Sequence, residues 1–445
     1  MLLKKIIIVI ILPLIFFSCK GRKKQFNSNI LDTKMNEIAD NYVKLVLRVG
    51  QIDGDFVDSY YGPDSLKPND VIKTKNDSLN VQKECSLQTD ILLNRLDSLG
   101  SLKADELQTL RYRFLYKQLL AVKAKLFMLS GGTLPFDEES KALYDAVSPS
   151  FPKEHYEKII YEIRNILPGK GDVVTRWNNF KKDFIIPENK IDTVFKAAIN
   201  ACRKRTLEHI KLPPNENFKV EFVTNKPWAG YNWYKGNYFS VIQVNTSIPI
   251  YIDRAIDLAA HEGYPGHHVY NSLLEEYLVK KRGWLEFTVY PLFSPQSLIA
   301  EGTANYGIDA VFPGESRMKF EKEVLFPLAG LDSTKADEYY KILKMTEELS
   351  YAGNEAAKNF LDGKWTKDET LHWLEKYCLM SSEQAKQKIK FVNIYRSYVI
   401  NYNLGKDIVK NYIERHGGTS ENPEKKWELF RYLLTTPQTP SGLNK

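Results

Sequence analysis

The stretch HEGYPGHH, residues 261–268, places three of the chain's seven histidines within eight positions, with Glu262 directly after His261. Neutral imidazole is a good ligand for zinc, which takes nitrogen donors at ~2.0–2.1 Å in tetrahedral sites and keeps one position for water in enzymes. A carboxylate beside such a site can take the proton from that water. The residue types therefore predict a Zn²⁺-dependent hydrolase, with His261 and one or both of His267 and His268 as ligands and Glu262 as general base. Imidazole donors favour zinc over calcium or magnesium.

The familiar zinc-protease signature, HExxH, sets two histidines one helical turn apart. Here the second position of that signature is Pro265. His261 and His268 would share a face of an unbroken helix but stand ~10.5 Å apart along its axis. His261 and His267 would point to different faces. Pro265 disfavours helical geometry at Tyr264, while Gly263 and Gly266 permit unusual backbone angles. The expectation is a helix that breaks after Glu262, bulges, and restarts with Pro265 in its first turn, folding a second histidine back to the metal. His267 is the preferred ligand, with His268 orienting a ligand or steadying the transition state; the exchange of these roles stays open.

A two-histidine site needs a third protein ligand. Glu301 opens a helical stretch directly after the apolar run Leu298-Ile299-Ala300, where a carboxylate is costly to bury unless paired or metal-bound. Asn305 lies four residues on, on the same helical face, where it can hold a ligand histidine by a hydrogen bond. The plain alternatives are a structural histidine cluster and a helix-start carboxylate favoured by the dipole.

These residues need elements to position them. Residues 217–249 alternate aromatic and β-branched residues between Gly, Asn and Pro, which predicts two or three short strands. IYIDRAIDLAAHE follows with Ile252, Ala255, Ile256 and Ala259 on one helical face. Elsewhere the periodicity is helical: residues 107–130 before Gly131-Gly132, a helix before Pro168-Gly169, another between Pro187 and Pro213, and the stretch from Lys335 to about Glu414. The expected class is mainly α with a small β-sheet, in one domain over 36–415, the sheet near 217–249 and metal-site helices near 250–310. Residues 19–35 read as a polar tether and 416–445 as a C-terminal tail.

HEGYPGHH followed by AEGTANYG resembles a bacterial family marked by HExxPGHH and EGWAxY, long catalogued as a domain of unknown function, and YVKLVLRVGQIDGDFVDSYYGP (42–63) resembles one of its branches. The resemblance implies a zincin-like, mostly helical metallopeptidase architecture, a metal held by His261, His267 or His268 and Glu301, and Glu262 as base. Thr303 stands where the family has Trp. The family's C-terminal PGQAxxYxxG appears as RSYVINYNLG, keeping Tyr402 and Gly405, so Tyr402 is a candidate catalytic hydroxyl. The expected substrate is a peptide or peptide-like amide, paired along the strand near Tyr238–Asn245. The rivals are hydrolysis of an ester or cell-wall amide, and a non-catalytic binding protein on the same fold.

The chain begins MLLKKIIIVIILPLIFFSCKGRKK. Two lysines, an apolar run and a small residue before Cys19 have the layout of a secretory leader over residues 1–18, and the run is shorter than the ~20 residues of a membrane span. Phe-Phe-Ser-Cys resembles a bacterial lipoprotein box, which makes Cys19 the lipidated residue and the cell envelope the location, periplasmic or at the outer membrane. The formal net charge of +7 includes Lys4 and Lys5 of the leader and is scattered, which disfavours a nucleic-acid partner. Cys85, Cys202 and Cys378 are too few and too far apart for a disulfide framework. Cys19→Ser is expected to move the protein from the membrane fraction to the soluble one, or to leave it as unprocessed precursor. Unchanged fractionation with retained lipid label would count against the lipoprotein reading.

Overall fold

The computed structural model describes residues 19–100, 104–226 and 228–444. The expected leader, residues 1–18, lies outside the described residues. The first element is helix α1 (Cys19–Ile52). Leu31, Met35, Ile38, Tyr42, Val46 and Val49 recur at helical spacing and are buried, so the polar stretch expected as a tether up to residue 35 is instead helical. Its apolar positions from Leu31 onward decide this, because only a helix delivers them to one face. Helices α2 (Lys75–Leu99) and α3 (Glu106–Leu129) follow, each opened by a capping box, Thr74 with Asp77 and Asp105 with Gln108. Arg111 of α3 is fully buried, forks onto Glu286 at 2.6 and 3.0 Å and faces the Trp284 ring. A charge this deep is tolerable because its donors are met by a paired carboxylate.

The strands form two small sheets. β1 (Val57–Tyr60) pairs antiparallel with β5 (Val289–Pro291). The other sheet has the order β2–β4–β3, from β2 (Asn217–Val223), β3 (Gly230–Tyr234) and β4 (Phe239–Asn245), with β2 parallel and β3 antiparallel to β4. The strands fall where alternation placed them. However, β4 is central and both its edges are already paired. The stretch 238–245 therefore has no free edge for a substrate, and the sheet's edges are β2 and β3.

Helix α4 (Ile191–Leu207) underlies the site. The histidine-bearing segment comprises α5 (Ile252–Leu258), a π-turn over Ala259–Gly263, and α6 (His267–Leu274). Helix α7 (Pro295–Val311) is buried along almost its whole length and carries Glu301. The C-terminal third is a run of helices, among them α8 (Ser382–Tyr395), α9 (Ile400–Arg415) and α10 (Pro423–Thr435). Trp427, Phe430, Leu433 and Leu434 of α10 are buried, so the expected tail over 416–445 is a packed helix rather than an extension. One apolar cluster runs from Leu31 of α1 to Leu443 near the C-terminus, with a small satellite around Leu374 and Ile389. Among the described residues no helix is long and apolar enough to cross a membrane.

Helices α7 and α9 cross where neither has a side chain. A Cβ at Gly302 would lie 2.4 Å from the Gly405 carbonyl oxygen, and one at Gly405 would lie 2.7 Å from the Leu298 carbonyl oxygen. Gly405→Ala must push the two helices apart. The expected cost is roughly 1–3 kcal/mol, read from chemical denaturation, since overpacked contacts cost about that much. Gly54→Ala, with open space around the added methyl, is the matched control and is expected to change stability little. Equal stability of the two variants would show that the crossing is not tight.

Candidate metal centre

The site starts from a reversal of the backbone. After α5 the chain widens into a π-turn, in which the Tyr264 amide donates to the Ala259 carbonyl at 3.0 Å and the Gly266 amide to the Ala260 carbonyl at 2.8 Å. Single π-turns within helices re-aim side chains at functional positions. The chain then turns back on itself so closely that a Cβ at position 266 would lie 1.9 Å from the His261 carbonyl oxygen. Only glycine fits there. The helix restarts at His267 with Gly266 as its cap, so Pro265 precedes the new helix instead of occupying its first turn.

The reversal brings His261 Nε2 and His267 Nε2 to 3.1 Å of each other. Glu301 meets them, its Oε2 3.3 Å from His261 Nε2 and its Oε1 3.8 Å from His267 Nε2. A tetrahedral ion with bonds of ~2.0–2.2 Å holds its donor atoms roughly 3.3 Å apart, so the three side chains fit a zinc ion in both chemistry and separation. Glu301 Oε2 is buried and accepts no hydrogen bond, the condition of a carboxylate oxygen awaiting a cation. Asn305 Oδ1 lies 3.0 Å from His261 Nδ1, as its position on the helix face predicted. This contact holds the proton on Nδ1 and leaves Nε2 free as a ligand. Asn305 in turn donates to the Tyr402 carbonyl at 3.1 Å, tying His261 to α9.

His268 is placed elsewhere. Its ring is fully buried, with Nδ1 2.9 Å from Ser240 Oγ and Nε2 3.1 Å from Glu216 Oε2. Both nitrogens are occupied, so His268 stands outside the cluster that could hold a metal, and of the two candidates it is His267 that meets His261 and Glu301. The reason is one of direction: residues adjacent on a helix diverge by ~100°, and α6 turns His267 to α7 and His268 to the sheet. Glu216 also accepts from Tyr264 at 2.6 Å and pairs with Arg203, on the surface, at 2.6 Å, making a knot that clamps α4, the turn and the sheet together.

Glu262 is buried and lines an open cavity together with His261, His267 and Glu301. Gly230 of β3 lies over it, since a Cβ there would come within 3.1 Å of Glu262 Oε1. Asn232 of the same strand donates to the Glu262 carbonyl at 2.7 Å. Burial pushes the Glu262 carboxyl up to about 7, His261 pulling it back and Glu301 adding to the rise. Burial lowers the His267 ring to about 4, and the charge on His261 lowers it further. For His261 burial acts downward, yet Glu301 and Glu262 together hold the ring up at about 9. Burial acts upward on Glu301, but the two histidines and Tyr398 keep it below the usual carboxylate range. The cluster is thus poised to exchange protons for a cation.

Tyr402 lines the same cavity. The sequence reading missed Tyr398, whose hydroxyl donates to Glu301 Oε1 at 2.9 Å. It lies in the same RSYVINY segment as Tyr402, one helical turn earlier, and was readable as a site residue only by that spacing. Also missed was Asp58 of β1, inside the quoted segment 42–63, which lines the cavity and takes a hydrogen bond from Tyr231. Burial, with Glu301 and Glu262 nearby, raises its carboxyl to about 7. Trp228, Tyr231, Tyr290, Phe391 and Tyr395 complete an aromatic wall.

No protein-family model matches the chain, and no curated protein sequence does. Among solved structures it is similar to a candidate lipoprotein from Colwellia psychrerythraea, at 12% identity and a TM-score of 0.51 over 83% of this chain and 68% of that one. Another similar structure is a candidate lipoprotein of unknown function from Shewanella oneidensis, at 12% identity and a TM-score of 0.46 over 82% of this chain and 72% of that one. The first likeness is one of fold and agrees with a mainly helical chain carrying a small sheet.

Glu301→Ala is expected to lower zinc affinity by far more than it lowers folding stability, because it removes the oxygen donor while the glycine crossing and the apolar core remain. His268→Asn is expected to do the reverse, loosening the fold with zinc affinity nearly retained. Calorimetric zinc titration beside thermal melting checks both, and wild-type zinc affinity in Glu301→Ala would remove it from the ligand set.

Proposed function

We propose that this chain is a zinc-dependent hydrolase of peptide or peptide-like amide bonds, held in the bacterial cell envelope by lipid on Cys19. The observation that carries the reading is the convergence of His261, His267 and Glu301 on one point, with Glu262, a carboxylate that is not part of that set, facing the same cavity. A structural metal site has no use for a buried base beside it. When bound, zinc supplies Lewis acidity and lowers the pKa of an attached water towards ~7.

The chain's own residues do the rest. Glu262 takes the water's proton and returns it to the leaving nitrogen. A carboxyl that burial sets near neutrality suits a group that must both accept and donate. The edge of β3, which lines the cavity through Gly230, Tyr231 and Asn232, offers its backbone to an extended substrate. Tyr402 donates its hydroxyl to the developing oxyanion. Asn305 and Tyr398 keep His261 and Glu301 in register. The aromatic wall favours a second reading, a cell-wall amide whose sugar stacks on those rings, and a panel of peptide and muropeptide substrates separates the two.

Glu262→Gln is expected to keep about one zinc per chain and to lose ~10²–10⁴-fold in turnover, the usual worth of general-base assistance. Glutamine keeps the shape but cannot take a proton at neutral pH. Retained turnover in the zinc-loaded variant would sink the mechanism. Loss of zinc would make Glu262 a ligand.

A further inference from the structure

Asp58 is a charged group in the cavity to which the proposed chemistry gives no task. It sits at a bulge in the β1–β5 pair: Val57 is opposite Pro291 and Ser59 opposite Tyr290, so Asp58 is the extra residue. Bulges re-aim side chains and occur beside active sites, and this one places Asp58 on the cavity wall with Glu262 and Glu301. Tyr231 donates its hydroxyl to Asp58 Oδ1, but a neutral donor does not compensate a desolvated charge. Lys235, whose charge reaches Asp58, sits over the Trp233 ring and is not among the lining residues. The rings of Trp228, Tyr231, Tyr395 and Tyr402 face the same space, and aromatic faces attract cations. Carboxylates grouped around one cavity repel one another, and a cation entering among them relieves that repulsion.

We propose, building on the peptidase reading, that Asp58 holds the α-ammonium group of the substrate, so that the enzyme cleaves at the amino-terminal residue. The α-nitrogen is two bonds from the scissile carbonyl carbon. Its partner must therefore stand beside the candidate metal centre, and Asp58 lines the same cavity as Glu301 and Glu262. A lysine side chain reaching the same space from farther off is the competing source of an ammonium group.

The test uses the zinc-loaded full chain and three versions of one peptide: free amino terminus, acetylated amino terminus, and acetylated with lysine as the first residue. The free peptide is expected to show kcat/KM roughly 10–100-fold above both others, because acetylation removes the charge and strands its half-buried partner. In Asp58→Asn the ratio is expected to fall towards one, mainly through KM, with zinc content and melting temperature close to wild type. Equal cleavage of free and acetylated peptides would overturn the assignment and leave the peptidase reading standing. So would full discrimination in Asp58→Asn, or cleavage of the acetylated lysine peptide at the rate of the free one. No cleavage of any peptide would remove the peptidase reading and this inference with it. Should Asp58→Asn fail to fold, the wild-type peptide series decides alone.

Discussion

The site depends on the close approach of two backbone segments, the Gly266 α-carbon against the carbonyls of Ala260 and His261. A helix cannot turn two histidines six positions apart onto one point, so the chain must leave the helix, reverse and re-enter it within five residues. The π-turn absorbs the first part of that reversal by giving two carbonyls partners beyond the usual spacing. The missing side chain at 266 permits the second. Any larger residue would separate His261 from His267 by moving the backbone that carries both. The Glu216–Arg203–Tyr264–His268 knot then holds the reversed segment down. It explains why His268, next to a member of the cluster, is itself structural.

A second close approach sets the opposite wall. Helices α7 and α9 cross at Gly302 and Gly405, which brings the residues flanking the crossing into reach of each other. Glu301 thereby meets Tyr398, and Asn305 meets the Tyr402 carbonyl while holding His261. Thr303 is buried and spends its hydroxyl on the carbonyls of Ile299 and Ala300. A small residue that is satisfied within its own helix leaves the glycine crossing intact.

The electrostatics follow from this packing. Two histidines and two carboxylates share a water-poor space, and their proton affinities are pushed apart: His261 up and His267 down, Glu262 up and Glu301 down. Burial alone would have moved both carboxylates upward and both rings downward. The divergence marks which groups face each other directly. Glu301 engages the rings, whereas Glu262 faces the cavity beneath Gly230, where a reacting group would stand.

What the sequence by itself determined were local matters. Helical periodicity, strand alternation, the interruption at Gly263-Tyr264-Pro265, and the face shared by Glu301 and Asn305 are all properties of neighbours in the chain, and each was legible. The apolar stripe of α1 from Leu31 and the Trp427-Phe430-Leu433-Leu434 face of α10 carried the same signal, although polar surroundings hid both. Tertiary structure alone decided which histidine turns to His261 and Glu301, because that depends on where the restarted helix points. It alone decided that β2 and β3, and not β4, are the sheet's edges, because strand order is set by which segments pair. Asp58 and Tyr398 joined the site for the same reason. A bulge in a strand whose partner lies far along the chain, and a helix crossing fixed by two distant glycines, leave no local pattern to read.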